Sequence, residues 1–302
     1  MRTSPLRAAA CHTLLGQLLL VPQLFGQGST PRCSDHYDQE VVGHDAQAVS
    51  NSAIANLTAA IDVVKLERVL VPASAGGQPR YDYWVTLRNR SAKDAIGYTF
   101  AQGFLDPSPT PSNYFREIIC VGGFESTLHW RVPAAESSDP VATLVSVVFA
   151  DGSADGNVGK AEGMKYGFLG YSIIHEEIEK ILGATQSPSA KTRSADVGAA
   201  QLRIQALSED PFTLEHSLSA TTYSRYRLLL DNMRKRTRRD PLTNARWLGM
   251  RSGMIDAKRQ AVRELEKFRE SPPSDGFSRV LDVSRSLLPP PGVITSILET
   301  VQ

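Results

Sequence analysis

The sequence predicts an antiparallel β-sandwich followed by an α-helical C-terminal region. Short apolar runs separated by turn residues fill residues 57–165. From Tyr171 onward the apolar residues recur at helical spacing instead. The charge balance also changes sign, from acidic to basic, near residue 221.

Residues 1–28 carry Arg2 and Arg7 and no acidic residue, then an apolar stretch from Leu14 to Val21. Pro22 ends that stretch, and the small residues Gly26 and Gly28 follow. This order of basic, apolar and small is the pattern of a cleavable signal peptide. The apolar run falls short of the ~20 residues that cross a bilayer, and no later segment in the sequence is long and apolar enough to do so. A buried N-terminal helix is the alternative, and the polar, Pro-containing stretch that follows argues against it. Cys11 precedes the apolar core and Cys33 follows Thr30-Pro31-Arg32, so neither has the setting of a lipid anchor. The expectation is an exported protein, periplasmic, cell-surface or extracellular, with a mature chain starting near Ser29.

Residues 29–56 read as a flexible leader. Export leaves Cys33 and Cys120, which are either a disulfide pair in an oxidising compartment or two separate buried thiols. Without a CxxC or a Cys/His cluster, a structural zinc site is not expected.

The β region begins with Leu57–Val71, rich in Val, Leu and Ile, which stops at Pro72. After a Gly- and Pro-containing loop, Tyr81–Arg90 alternates: Tyr83, Val85 and Leu87 share one face, and Trp84, Thr86 and Arg88 the other. Ile96–Phe104, Tyr114–Val121, Thr127–Val132 and Val141–Ala150 are further strand candidates, several of them separated by Pro and Ser clusters. About residues 57–157, a strand ending in Asn89-Arg90-Ser91 and a later one running from Val147 into Asp151-Gly152 resemble the immunoglobulin-like β-sandwich domains of secreted bacterial proteins. The resemblance implies a shape more than an activity.

Residues 166–270 form the expected helical region, basic from 221. Tyr171–Leu182 places Ile174, Ile178 and Ile181 on one helical face, and Ala195–Leu207 and Tyr223–Arg239 give two further helices. Asp240-Pro241 is a helix start, with an acidic cap before proline in the first turn. Beyond it Trp247, Met250, Met254, Ala257, Ala261, Leu265 and Phe268 recur every three or four residues, the clearest amphipathic pattern in the chain. Residues 271–302 read as a Pro-rich tail.

Composition is that of an ordinary globular protein, 41% hydrophobic and 22% charged, and the whole chain carries a net charge of +1. Residues 29–220 hold 15 basic against 23 acidic residues, a balance of −8, whereas residues 221–270 hold 14 against 6, a balance of +8. The basic helices are therefore expected to dock on the acidic body of the same molecule, with an anionic polymer or a membrane surface as the alternative partner.

The most specific local pattern is Asp151 to Glu162. Asp151, Ser153, Asp155 and Asn157 offer oxygens, Gly156 sits at the turn, and Glu162 is twelfth, as in an EF-hand calcium loop. The preceding segment is a strand rather than a helix, and Asp-Gly is also a plain turn signal. Calcium is the one cofactor the sequence suggests.

The cluster Arg234–Arg239 is not read as a nucleic-acid site, because no stacking platform accompanies it. His175-Glu176-Glu177 lacks a second histidine four residues on, where Glu179 stands, so no zinc-protease pair forms. Ser126 and Ser172 lie in no nucleophile elbow, and Gly163, Gly167 and Gly170 make no phosphate loop. Trp84 beside Arg88 is a candidate binding surface, with a covering helix as the alternative. The reading that follows is a non-enzymatic exported binding or scaffolding protein, its partner another envelope protein or an anionic polymer. Rivals are a calcium-dependent binding module and a secreted hydrolase with dispersed catalytic carboxylates.

Overall fold

Turn and strand chemistry divide the first half of the chain into two sheets. The computed structural model describes residues 47–49, 54–73, 77–102, 114–115, 125–133, 142–185, 193–236, 239–270 and 277–300. The first sheet holds β1 (Gln47–Val49), β3 (Ile61–Val71), β4 (Arg80–Asn89) and β7 (Glu125–Pro133), in the order β1-β3-β4-β7 and antiparallel throughout. The second holds β2 (Ile54–Asn56), β8 (Ala142–Phe149), β5 (Ala95–Gln102) and β6 (Tyr114–Phe115), in the order β2-β8-β5-β6.

The expectation of purely antiparallel pairing needs correction here, because β2 runs parallel to β8. It occupies the stretch Ala142–Leu144, and β9 (Ala154–Gly156) pairs antiparallel with Ser146–Val148. The expected leader over 29–56 thus contains two strands, β1 and β2, among its described residues.

The alternation read for β4 holds: Tyr83, Val85 and Leu87 are fully buried. Together with Ile61 and Leu66 they join Tyr98, Phe100, Leu144, Val147 and Phe149 of the second sheet in one apolar cluster. The second sheet is buried on its other face too. Ile96 and Val148 belong to a second cluster shared with the helices. A strand covered on both sides reads as a continuous apolar run, and Val145–Val148 of β8 is entirely buried.

Six helices follow among the described residues: α1 (Val158–Ala184), α2 (Arg193–Gln205), α3 (Ala220–Lys235), α4 (Pro241–Glu270), α5 (Ser278–Ser286) and α6 (Pro291–Glu299). α1 begins thirteen residues before the expected Tyr171, capped by Asn157, whose side chain accepts from the Lys160 amide at 3.0 Å. Gly163, Gly167 and Gly170 weaken the helical signal there, and their reason is packing. A Cβ on Gly253 would lie 1.8 Å from the Gly167 carbonyl oxygen, and one on Gly249 1.8 Å from that of Gly163. A Cβ on Gly170 would meet the Met250 carbonyl at 2.1 Å. α1 and α4 therefore touch backbone to backbone.

α4 starts where Asp240 predicts, its carboxylate accepting from the Thr243 amide at 2.8 Å. The expected stripe faces inward: Met250, Met254, Ala261 and Leu265 are fully buried. The expected tail over 271–302 contains α5 and α6. Val293 and Ile297 of α6 are buried at 0% and 1% exposure, with Pro291 in the first turn as the helix-start signal. α1 lies on the second sheet, where a Cβ on Gly97 would sit 2.5 Å from the Met164 sulfur.

Candidate functional site

The loop from Asp151 to Glu162 is a tight β8–β9 connection followed by the start of α1. Gly152 and Gly156 take φ of 81° and 88°, the left-handed region that glycine reaches without strain. The five candidate calcium ligands have their oxygens engaged elsewhere. The Asp151 carboxylate accepts from the Ser153 amide at 2.9 Å and pairs with Lys93 at 2.7 Å. Desolvation, the largest single influence, raises the Asp151 pKa, but the contacts with Lys93 and Ser153 together outweigh it and bring it down to about 2. Ser153 accepts from Lys93 Nζ at 2.9 Å. One Asp155 oxygen receives the amides of Ala59 and Ala60 at 2.7 and 2.8 Å, fastening the β2–β3 turn. Asn157 caps α1. Glu162, inside α1, binds Lys165 at 2.8 Å and Arg246 of α4 at 2.7 Å. Its burial would raise its pKa, but the two cations outweigh this and lower it. Among the described residues no three His, Cys, Asp or Glu side chains gather as a metal site would require.

Trp84 and Arg88 do share the face of β4 turned away from the inter-sheet cluster, Trp84 half-buried and Arg88 exposed. Trp84 stands in register with Glu67 on one side and His129 on the other. The helical cluster takes its described sheet residues from the second sheet, so the covering helix weighed for Trp84 is not found among the described residues. Cys33 and Cys120, and with them the disulfide expectation, lie outside the described residues, as do residues 1–46.

The charge asymmetry has a concrete form. α1 carries a row of glutamates, each tied to a basic residue. Glu176 binds Arg225 of α3 at 2.8 Å, Glu179 binds Arg285 of α5 at 2.7 Å, and Glu162 binds Arg246. Before α3, Glu215 binds Arg234 at 2.8 Å. Lys258 of α4, 8% exposed, reaches the Gln205 and Leu207 carbonyls at 2.9 and 2.7 Å and the Glu209 carboxylate at 2.9 Å. It closes the C-terminal end of α2, where a cation complements free carbonyls.

The same row includes Glu177, two residues after His175. Glu177, 5% exposed, accepts from the Ser219 hydroxyl at 2.7 Å and from Lys180 at 3.2 Å. Its burial alone would raise its pKa, and the hydroxyls of Thr222 and Ser219 with Lys180 lower it. Lys180 also donates to Ser219 at 2.7 Å and to Thr222. Through these contacts Lys180, set between Glu176 and Glu177, ties α1 to the start of α3.

One set of charges is left over. Lys235, Arg236 and Arg239, at the α3–α4 connection, are exposed and meet no carboxylate among the described residues. Every other described basic side chain between 225 and 246 is paired: Arg225, Arg227, Arg234 and Arg246. The sequence marks Arg234–Arg239 as one cluster. The structure divides it: Arg234 turns inward to Glu215, and Lys235, Arg236 and Arg239 are exposed.

No known protein family, no curated protein and no solved structure matches this chain.

Proposed function

We propose that the chain is an exported, non-enzymatic binding protein of immunoglobulin-like β-sandwich design, holding an anionic polymer at the corner between α3 and α4. The observation that carries this reading is the exposed triad Lys235, Arg236 and Arg239, which meets no carboxylate among the described residues, whereas Arg225, Arg234 and Arg246 are paired. Guanidinium groups bind phosphate, sulfate or carboxylate oxygens through two parallel hydrogen bonds, which suits repeated anionic groups. The apolar cluster joining the two sheets supports the sandwich part of the reading. The order of Arg2, Arg7, Leu14–Val21, Gly26 and Gly28 supports export.

Titration with inorganic polyphosphate at low and high salt tests the binding. Affinity should fall steeply with salt, as it does when bound counterions are released. The combined Lys235→Glu, Arg236→Glu and Arg239→Glu variant should lose roughly tenfold or more in affinity. The control Arg259→Glu, on the exposed side of α4, should bind almost as the parent does. Absence of binding at low salt, or equal loss in the control, would sink the proposal.

A further inference from the structure

His175 is buried, at 2% exposure, an unusual position for a titratable group. It stacks on Tyr171 one turn earlier, with ring centroids 6.3 Å apart and planes 19° from parallel. The Tyr171 hydroxyl donates to the Ser284 carbonyl of α5 at 3.3 Å. At this contact two buried polar atoms, His175 Nε2 and Ser284 Oγ, have no hydrogen-bond partner among the described residues. Next to it Glu179 and Arg285 bridge the two helices.

We propose that His175 is an acid-sensitive latch between α1 and α5, and that its protonation loosens α5 from the molecule. A neutral imidazole can sit in this contact at modest cost, whereas an imidazolium brings a buried charge, and its Nε2 has no hydrogen-bond partner among the described residues. The charged groups acting on it are Glu179 and Glu176 of its own helix and Arg285 of α5. Both carboxylates are already engaged in ion pairs, Glu179 with Arg285, and Glu176 with Lys180 and with Arg225 of α3. Asp282 in turn shares Arg285 at 3.6 Å. α4 and α6 add apolar side chains to the surrounding cluster, among them Met254, Ala257, Val293 and Ile297.

Burial lowers the His175 pKa below the ordinary 6.5; Glu179 opposes this and Arg285 reinforces it. The direction fixes the pH window. With α5 released, the imidazole regains its ordinary affinity for a proton. The stability of the contact is therefore complete above about pH 6.5 and is lost as pH falls toward the depressed value of the closed state.

Hydrogen exchange on the full chain at about pH 7.5 and about pH 5.5 reads the latch directly. Protection factors of the α5 amides should fall by up to about tenfold at the lower pH, while those of α4 hold. His175→Gln should keep the neutral-pH fold and abolish the difference. An α5 protection that ignores pH, or one that falls equally in His175→Gln, overturns the proposal. A variant-free check is the titration of the His175 ring by proton NMR in the parent chain. A midpoint at or above 6.5 would equally overturn it.

Discussion

Leu265 and Arg259 sit less than two turns apart on α4, yet their surroundings differ completely. Leu265 is fully buried in the helical cluster, and Arg259 is exposed, with no ion-pair partner among the described residues. Leu265→Ala should therefore cost roughly 2–5 kcal/mol in denaturant melts, and Arg259→Ala under about 0.5 kcal/mol. A harmless Leu265→Ala would mean that α4 is not docked in the folded monomer. At this scale the sequence is most readable, because a side chain's face follows from period alone. The inward Tyr83, Val85 and Leu87 and the α4 stripe come out as spacing predicts. The partners of charged groups do not, since Glu162 and Arg246 meet only after the chain has turned back on itself. In one dimension nothing marks Glu162 as the partner of Arg246.

Between elements, the α1–α4 contact turns on glycine. Gly253→Ala drives a methyl group into the Gly167 carbonyl, where backbone cannot give way as a flexible side chain would. It should cost about 2–3 kcal/mol or more. Gly198 of α2 makes the comparison: nothing lies within 4 Å of an added Cβ, and alanine there should stabilise by about 0.5–1 kcal/mol. Thermal melts of the two variants should thus move in opposite directions, and a shared direction would contradict the packing. The first half of α1 was illegible for the same reason. Three glycines between 163 and 170 resemble loop chemistry until a second helix with Gly249 and Gly253 is laid beside them. In the tail, the string Pro289–Pro291 hid a helix start behind the look of a linker, although proline in a first turn is a legible signal.

For the whole molecule, burial is shared between the second sheet and the helices. Ile96 and Val148 of the second sheet lie in the same cluster as α1 and α4. Periodicity identifies elements but not which faces find one another, so this layering was out of reach of the sequence. The sign change in charge did reach across scales, because the acidic residues of α1 receive basic residues of α3, α4 and α5. The exposed corner at Lys235, Arg236 and Arg239 was legible as a cluster, though the inward turn of Arg234 was not. The proposed export also belongs to this scale. N-terminal sequencing of protein recovered from the envelope or the medium should begin near Ser29, and an intact Met1 in a cytoplasmic pool would refute it.

The glycine contact between α1 and α4 also has a place in time. Gly163 leaves the ribosome 86 residues ahead of Gly249. At synthesis rates of 5–20 residues per second, α1 waits roughly 4–17 s for the helix that fits it. Throughout that interval Met164, Leu169 and Ile173 have the second sheet but no α4 to close over them. A nascent chain in that condition is sticky, and the last half of the protein is what makes the first half safe.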